Sequence, residues 1–193
     1  MLSISNAESV DVGDRILAAA ASCVRDFGME RVTLAEIARR AGVSRPTVYR
    51  RWPDTRSILA SLLTDRIVGA WRAAPPAAAG REALVARIVE VVRRLRRDDL
   101  IRNVLRADPE LAMVYITDRL GTSQQIIIDM VADELRKAQA DNTVRAADSH
   151  HMAAMVLLIT QSVIQSGRIV ASILDADDLD AELAHTLNGY LAP

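Results

Sequence analysis

Apolar side chains recur at helical spacing along most of this chain, and nowhere with the two-residue alternation of a half-buried strand. Ile16, Ala20, Cys23, Val24 and Phe27 form one stripe, which predicts a first helix capped by Asp14 and ended by Gly28. Thr33 and Glu36 form a T-x-x-E capping box that opens a second helix. That helix runs to Ala41, because Gly42 supplies the positive φ of a tight turn. Ser44 caps a third helix, with Pro46 in its first turn, where a missing N–H costs nothing. Ile37, Ala38, Val43 and Val48 fall where these two short helices must touch, and Ala38 is small enough to let them approach.

Past Pro53, Asp54 caps a fourth helix with Ile58, Leu62, Ile67 and Trp71 on one side. The prolines of segment 74–80 end it. A fifth helix spans about Arg81 to Arg97 on Leu84, Ile88, Val91, Val92 and Leu95. Asp108 and Pro109, in the order cap then first-turn proline, start another. Gly121 kinks or breaks it, the pattern resumes to about Gln139, and Asp141-Asn142 is a turn. From Asp148 to about Leu174 apolar residues cover most of the helix circumference, which requires burial on more than one side. A last helix, capped by Asp177 or Asp178, carries Leu179, Leu183, Leu187 and Tyr190. The fold class is therefore all-α. A flexible tail over 1–13 precedes a three-helix unit with a helix-turn-helix over 14–53, and a larger helical bundle fills 54–193.

Charge changes this picture most between Arg31 and Arg56. Seven arginines there oppose only Glu36 and Asp54, a net +5 in a chain whose total is −1. From Ile67 onward, 14 basic and 17 acidic residues leave −3, so cationic charge is concentrated on the helix-turn-helix, as a polyanion partner requires. The competing reading is a solvated basic face on an ordinary helix. The excess of arginine over lysine, 23 to 1, runs through the whole chain and reflects composition bias more than phosphate selection.

The second short helix presents Arg45, Pro46, Thr47, Tyr49, Arg50 and Arg51. Arg45 and Thr47 lie at the end that reaches base edges: arginine suits guanine O6 and N7, and a threonine methyl suits the thymine methyl. Arg50 suits either bases or backbone, and Pro46 offers only apolar contact. Thr33, Ser44, Arg51, Thr55 and Arg56 complete the candidate DNA-binding set, Thr33 through the amides of the helix it caps.

These residues carry a family resemblance. Phe27-Gly28, Thr33, Ile37-Ala38, Ala41 to Ser44 and Thr47-Val48-Tyr49 resemble the DNA-binding domain of the TetR family of bacterial transcriptional regulators over Ile16 to Leu63. Arg51-Trp52 replaces the family's usual His-Phe pair, and Thr55 stands where a lysine often contacts phosphate. The resemblance implies that Tyr49 touches a phosphate and that the bundle is an effector-binding and dimerisation domain. The fourth helix would link it to the DNA-binding unit, and a palindromic double-stranded operator would be bound by a homodimer. It also implies a small apolar effector, with Trp71, Leu105, Met113, Tyr115, Met130, Met155 and Gln161 as pocket candidates. Met155, Ile159, Val163, Ile164, Leu183 and Leu187 are the candidates for the dimer interface. About four phosphates neutralised per subunit would give a salt slope near −7.

Other chemistries find little footing. The sequence lacks G-x-x-x-x-G-K-[ST], H-E-x-x-H, G-x-S-x-G and C-x-x-C, so no catalytic residue and no cofactor are assigned. His150 and His151 point about 100° apart on a helix, so no metal site is assigned either. Cys23 is the only cysteine and shares an apolar face, as a buried structural thiol does. The longest wholly apolar run, Met152 to Ile159, is eight residues, too short to span a bilayer, and the N-terminal residues lack a basic leader. A cytoplasmic protein without membrane contact is expected. The remaining alternatives are a constitutive or activating regulator without an effector, and a helical binding module or enzyme with a vestigial helix-turn-helix.

Overall fold

The computed structural model describes residues 11–28, 31–75, 78–107 and 122–193, and all regular elements there are helical. The expected helix start at Asp108-Pro109, the break at Gly121, and Met113 and Tyr115 lie outside the described residues. Helix α1 (Val12–Phe27) begins earlier than the stripe suggested. Its cap is Asp11, whose carboxylate accepts the Gly13 N–H, while Asp14 sits in the first turn. Residues 12 and 13 thus belong to the helix and not to a tail. Helices α2 (Leu34–Ala41) and α3 (Arg45–Arg51) follow, separated by Gly42 at φ 65°, ψ 36°. Helix α4 (Thr55–Ala73) opens with a full capping box between Asp54 and Ser57.

Helix α5 (Arg81–Arg97) matches its apolar pattern, but the next element was not expected. Helix α6 (Asp99–Ala107) starts one residue after α5 ends, with Asp98 accepting the Ile101 N–H. Its apolar pairs, Leu100-Ile101 and Val104-Leu105, are one turn apart, hidden in sequence behind a run of charges. Helices α7 (Thr122–Ala140) and α8 (Ser149–Ser166) come next, then a 3-10 turn (Gly167–Val170) and α9 (Ala176–Leu191). The regular helix after Asp148 thus stops at Ser166, short of Leu174. Asp175, not Asp177 or Asp178, caps α9, accepting the N–H groups of both.

Two apolar centres organise these helices. The first joins α1 to α4 around Ile16, Ile37, Val48 and Ile58, and it takes Leu100 and Val104 from α6. The second joins α5, α7, α8 and α9 around Leu84, Leu135, Met152 and Leu187. A smaller cluster of Ala74, Val91, Leu95 and Ile101 lies between α4, α5 and α6. Leu183 and Leu187, expected at a dimer interface, are 3% and 0% exposed within one subunit. They face α5 and α8 because their stripe is the only apolar face α9 has, and burying each stabilises the fold by about 1.5–3 kcal/mol. Phe27 also departs from expectation. It is 37% exposed at the end of α1, with the Arg40 guanidinium stacked 5.1 Å from its ring centre.

Ser149–Val170 is long and apolar enough to cross a membrane by length and composition alone. One of its faces, with Met152, Ala153, Val156 and Thr160, packs into the bundle; the opposite face carries exposed Met155 and Leu158. Cys23 is fully enclosed, and burial pushes its thiol pKa up. It is expected to resist a disulfide reagent such as DTNB at pH 8 in the folded protein and to react fully in denaturant. Rapid labelling of the native chain would contradict this packing.

Candidate nucleic-acid interface

Local chemistry builds the reading head. Thr33, in extended conformation, accepts the Glu36 N–H at 3.2 Å and starts α2. The reciprocal half of the expected capping box is missing, because the Glu36 carboxylate is taken by Arg39 at 2.6 and 2.8 Å and lies 3.7 Å from Arg40. After Gly42, the Val43 N–H returns to the Ala38 carbonyl at 3.0 Å, closing the turn. Ser44 accepts the Thr47 N–H at 3.3 Å and shares a 2.7 Å hydrogen bond with the Thr47 hydroxyl. Val48 is fully buried against α1 and α2, so the opposite face of α3 is left to solvent. That face carries Arg45, Pro46, Tyr49 and Arg50, all exposed, with Arg56 exposed at the start of α4.

Tertiary contacts sort the arginines. Arg40 donates to Ser22 and to Asp26 of α1, and Arg39 and Glu36 form a closed pair. Arg51, a backbone-contact candidate, instead turns back to Asp11 at 3.3 Å and lies so close to α1 that a side chain at Gly13 would collide with its guanidinium. The Asp11 carboxyl is held below its ordinary pKa by the Gly13 N–H and then by Arg51. Thr47 is half-buried with its hydroxyl engaged, which leaves its methyl as the group able to face a base. Thr55 is half-buried in the first turn of α4. Trp52 packs against the first core and donates from its indole N–H to Ser61 at 2.8 Å.

Arg15 was not singled out in the sequence. Its guanidinium donates to the Ala41 carbonyl at 2.7 Å, placing a cation on the C-terminus of α2 and fixing the angle at which α3 is presented. No local pattern points to it, since its acceptor is 26 residues away.

Behind this unit a cavity of about 180 Å³ opens between α4, α5, α6, α7 and α8. Trp71, Leu105, Met130 and Gln161 line it, as does Ile164, which was expected at the interface. Among its described lining residues none is charged. Met155 is not part of it: this side chain is 43% exposed on the far face of α8. Ile159 and Val163 are half-buried against the second core.

A short helix capped at both ends, crossing a second and offering two free arginines, a tyrosine and a proline, defines a helix-turn-helix DNA-binding protein. The comparisons agree. Residues 16–62 match the model of the bacterial regulatory proteins of the tetR family. An HTH-type transcriptional regulator of Mycobacterium tuberculosis is 61% identical over 191 residues, 99% of this chain and 100% of the relative. This chain belongs to the TetR family of transcriptional regulators. At the level of fold, the TetR-family repressor QsdR of R. erythropolis superimposes with a TM-score of 0.70 at 16% identity, covering 94% of this chain and 96% of that one. RolR, solved with its ligand resorcinol, gives 0.68 at 16% identity, covering 93% and 87%.

Arg45→Ala is expected to cost about 1–3 kcal/mol of binding and to relax base preference at one position per half-site. Selection of binding sites from random DNA checks this; an unchanged consensus would show that Arg45 reads no base.

Proposed function

We propose that the chain is a cytoplasmic, homodimeric repressor that holds a palindromic operator and is released by a small molecule entering the cavity. The observation that carries the switch is the double membership of α6. Leu100 and Val104 belong to the core of the DNA-binding unit, while Val104, Ile101 and Leu105 line the cavity. Leu63 of α4 likewise packs against the first core and lines the cavity. A ligand that repacks this wall shifts α6 and α4, and with them the reading head. Close-packed elements move as units, and coupling of this kind is reciprocal between the two sites.

Dimerisation rests on the outer face of α8 and the turn beyond it. Met155 and Leu158, one turn apart on α8, and Ile169 and Ile173 beyond it are 43%, 58%, 82% and 80% exposed, large apolar side chains left without cover in one subunit. Two copies facing each other there would cover these residues about a two-fold axis and present two α3 helices to successive major-groove turns. The small-molecule reading draws support from RolR, whose structure holds resorcinol.

The test is fluorescence anisotropy of the full chain on DNA from upstream of its own gene, at two salt concentrations, beside Tyr49→Ala. With Arg51 paired to Asp11, fewer cations per subunit face phosphates than the sequence suggests, and the slope of log K against log salt is expected to be clearly negative but shallower than about −7. Tyr49→Ala is expected to weaken binding to all sequences alike. Salt-independent binding, or full affinity in the variant, would overturn the assignment of this face.

A further inference from the structure

The apolar cavity does not end at its apolar wall. Leu95, Ile101, Leu105, Ile164 and Gln165 also line a second cavity, of about 290 Å³, where the end of α5, α6, the 3-10 turn and the start of α9 meet. The two cavities therefore share a boundary, and their linings differ completely in charge. The second is lined by Arg93, Arg96, Arg97, Arg102 and Arg168 with Asp180 as its single carboxylate, so the described lining is net +4.

Most of this charge has an internal use. Asp180 accepts from Arg93 at 2.7 Å and from Arg96 at 2.8 Å, pinning α9 to α5. Glu90 takes a second nitrogen of Arg93, and Asp99 lies 3.4 Å from Arg102. Arg97 and Arg168 have no carboxylate within ion-pair distance among the described residues, and both are exposed to the cavity's solvent. The acids nearest in sequence do not line this space. Asp98 caps α6 and faces Arg66, and Asp175 is bound to the amides of α9. Arg97 ends α5 and Arg168 follows the C-terminus of α8, so both sit where helix ends attract cations, yet neither is paired there with an acid among the described residues. Two cations from separate elements that line one space bordering an apolar cavity can serve as a receptor for one anionic group.

We propose that the effector is an amphipathic anion. Its apolar body lies in the uncharged cavity against Trp71 and Ile164, and its carboxylate or phosphate lies between Arg97 and Arg168. This rests on the effector-cavity reading above and replaces a purely apolar ligand with one that has a charged head. The shared chemistry is an alkyl chain ending in an anion, and the source is either a free fatty acid or a coenzyme A thioester.

The test is titration calorimetry of the full-length protein with decanoate, decanoyl-CoA and 1-decanol, repeated on the Arg97→Ala/Arg168→Ala double variant. Both arginines are exposed, so the variant is expected to keep its fold and its melting temperature. The expected result is that one or both anions bind at least tenfold more tightly than decanol, and that the double variant loses this preference while its affinity for decanol is unchanged. Decanoate alone would identify the carboxylate as the head group; decanoyl-CoA alone would identify the phosphates. Equal binding of decanol and the anions, or a preference that survives in the double variant, overturns the anion subsite and leaves the effector cavity standing. Failure of all three to bind overturns the effector-cavity reading itself.

Discussion

Leu158→Asp is expected to turn a dimer into monomers and to lower operator affinity by about a hundredfold or more. Leu158 is 58% exposed on the outer face of α8, so its loss opens no cavity in the subunit and the helical content should stay unchanged. A two-fold interface repeats each residue, so the variant would bring two carboxylates into one apolar contact without partners. Separate subunits then lose the gain from binding two linked half-sites at once. Light scattering and anisotropy read the two effects separately. A variant that remains dimeric with full operator affinity would place the interface elsewhere. Leu183→Asp cannot serve as this test, because Leu183 is buried in the bundle and its replacement would unfold the subunit first.

The second large effect concerns stability. Asp180→Ala removes the one carboxylate that receives both Arg93 and Arg96 and is itself only 5% exposed. Breaking a fully buried pair costs about 3–5 kcal/mol, because the partner charge is left without compensation. Here the arginine side chains are 37% and 21% exposed and Arg93 keeps Glu90, so water and that second acid screen much of the loss. A destabilisation of about 2 kcal/mol is expected, which for a chain of this length lowers the melting temperature by about 4–8 °C. Asp180→Asn retains an acceptor without the charge and should fall between the two. Thermal melts followed by circular dichroism decide it: an unchanged midpoint for Asp180→Ala would mean that the α5–α9 contact rests on Leu183 and Leu187 alone.

Much of the reading head is legible in the sequence. Thr33, Gly42, Ser44, Pro46 and Asp54 each act on backbone groups within four residues, so their meaning is carried by adjacent letters. The cavity was less legible. Trp71, Leu105, Met130 and Gln161 do line it, but periodicity shows only that such residues are apolar or face inward, not which of two cores or which space they face. Helix α6 went unseen because it is nine residues long and begins inside a charged run, yet it is the element that touches both the DNA-binding core and the cavity.

The dimer candidates show the same limit from the other side. A helix that is apolar all round announces two partners without saying which stripe meets which. Leu183, Leu187 and Ile164 went to the subunit's own interior, and Met155 and Leu158 were left outside. The all-helical class, the helix-turn-helix and the concentration of cations upon it are written in the residue order, because they follow from propensity, capping and charge along short stretches. Which of those cations stay unpaired depends on how the helices pack. Arg40 and Arg51 find their carboxylates 14 and 40 residues away, and ion pairs at such separations exist only once the helices have packed.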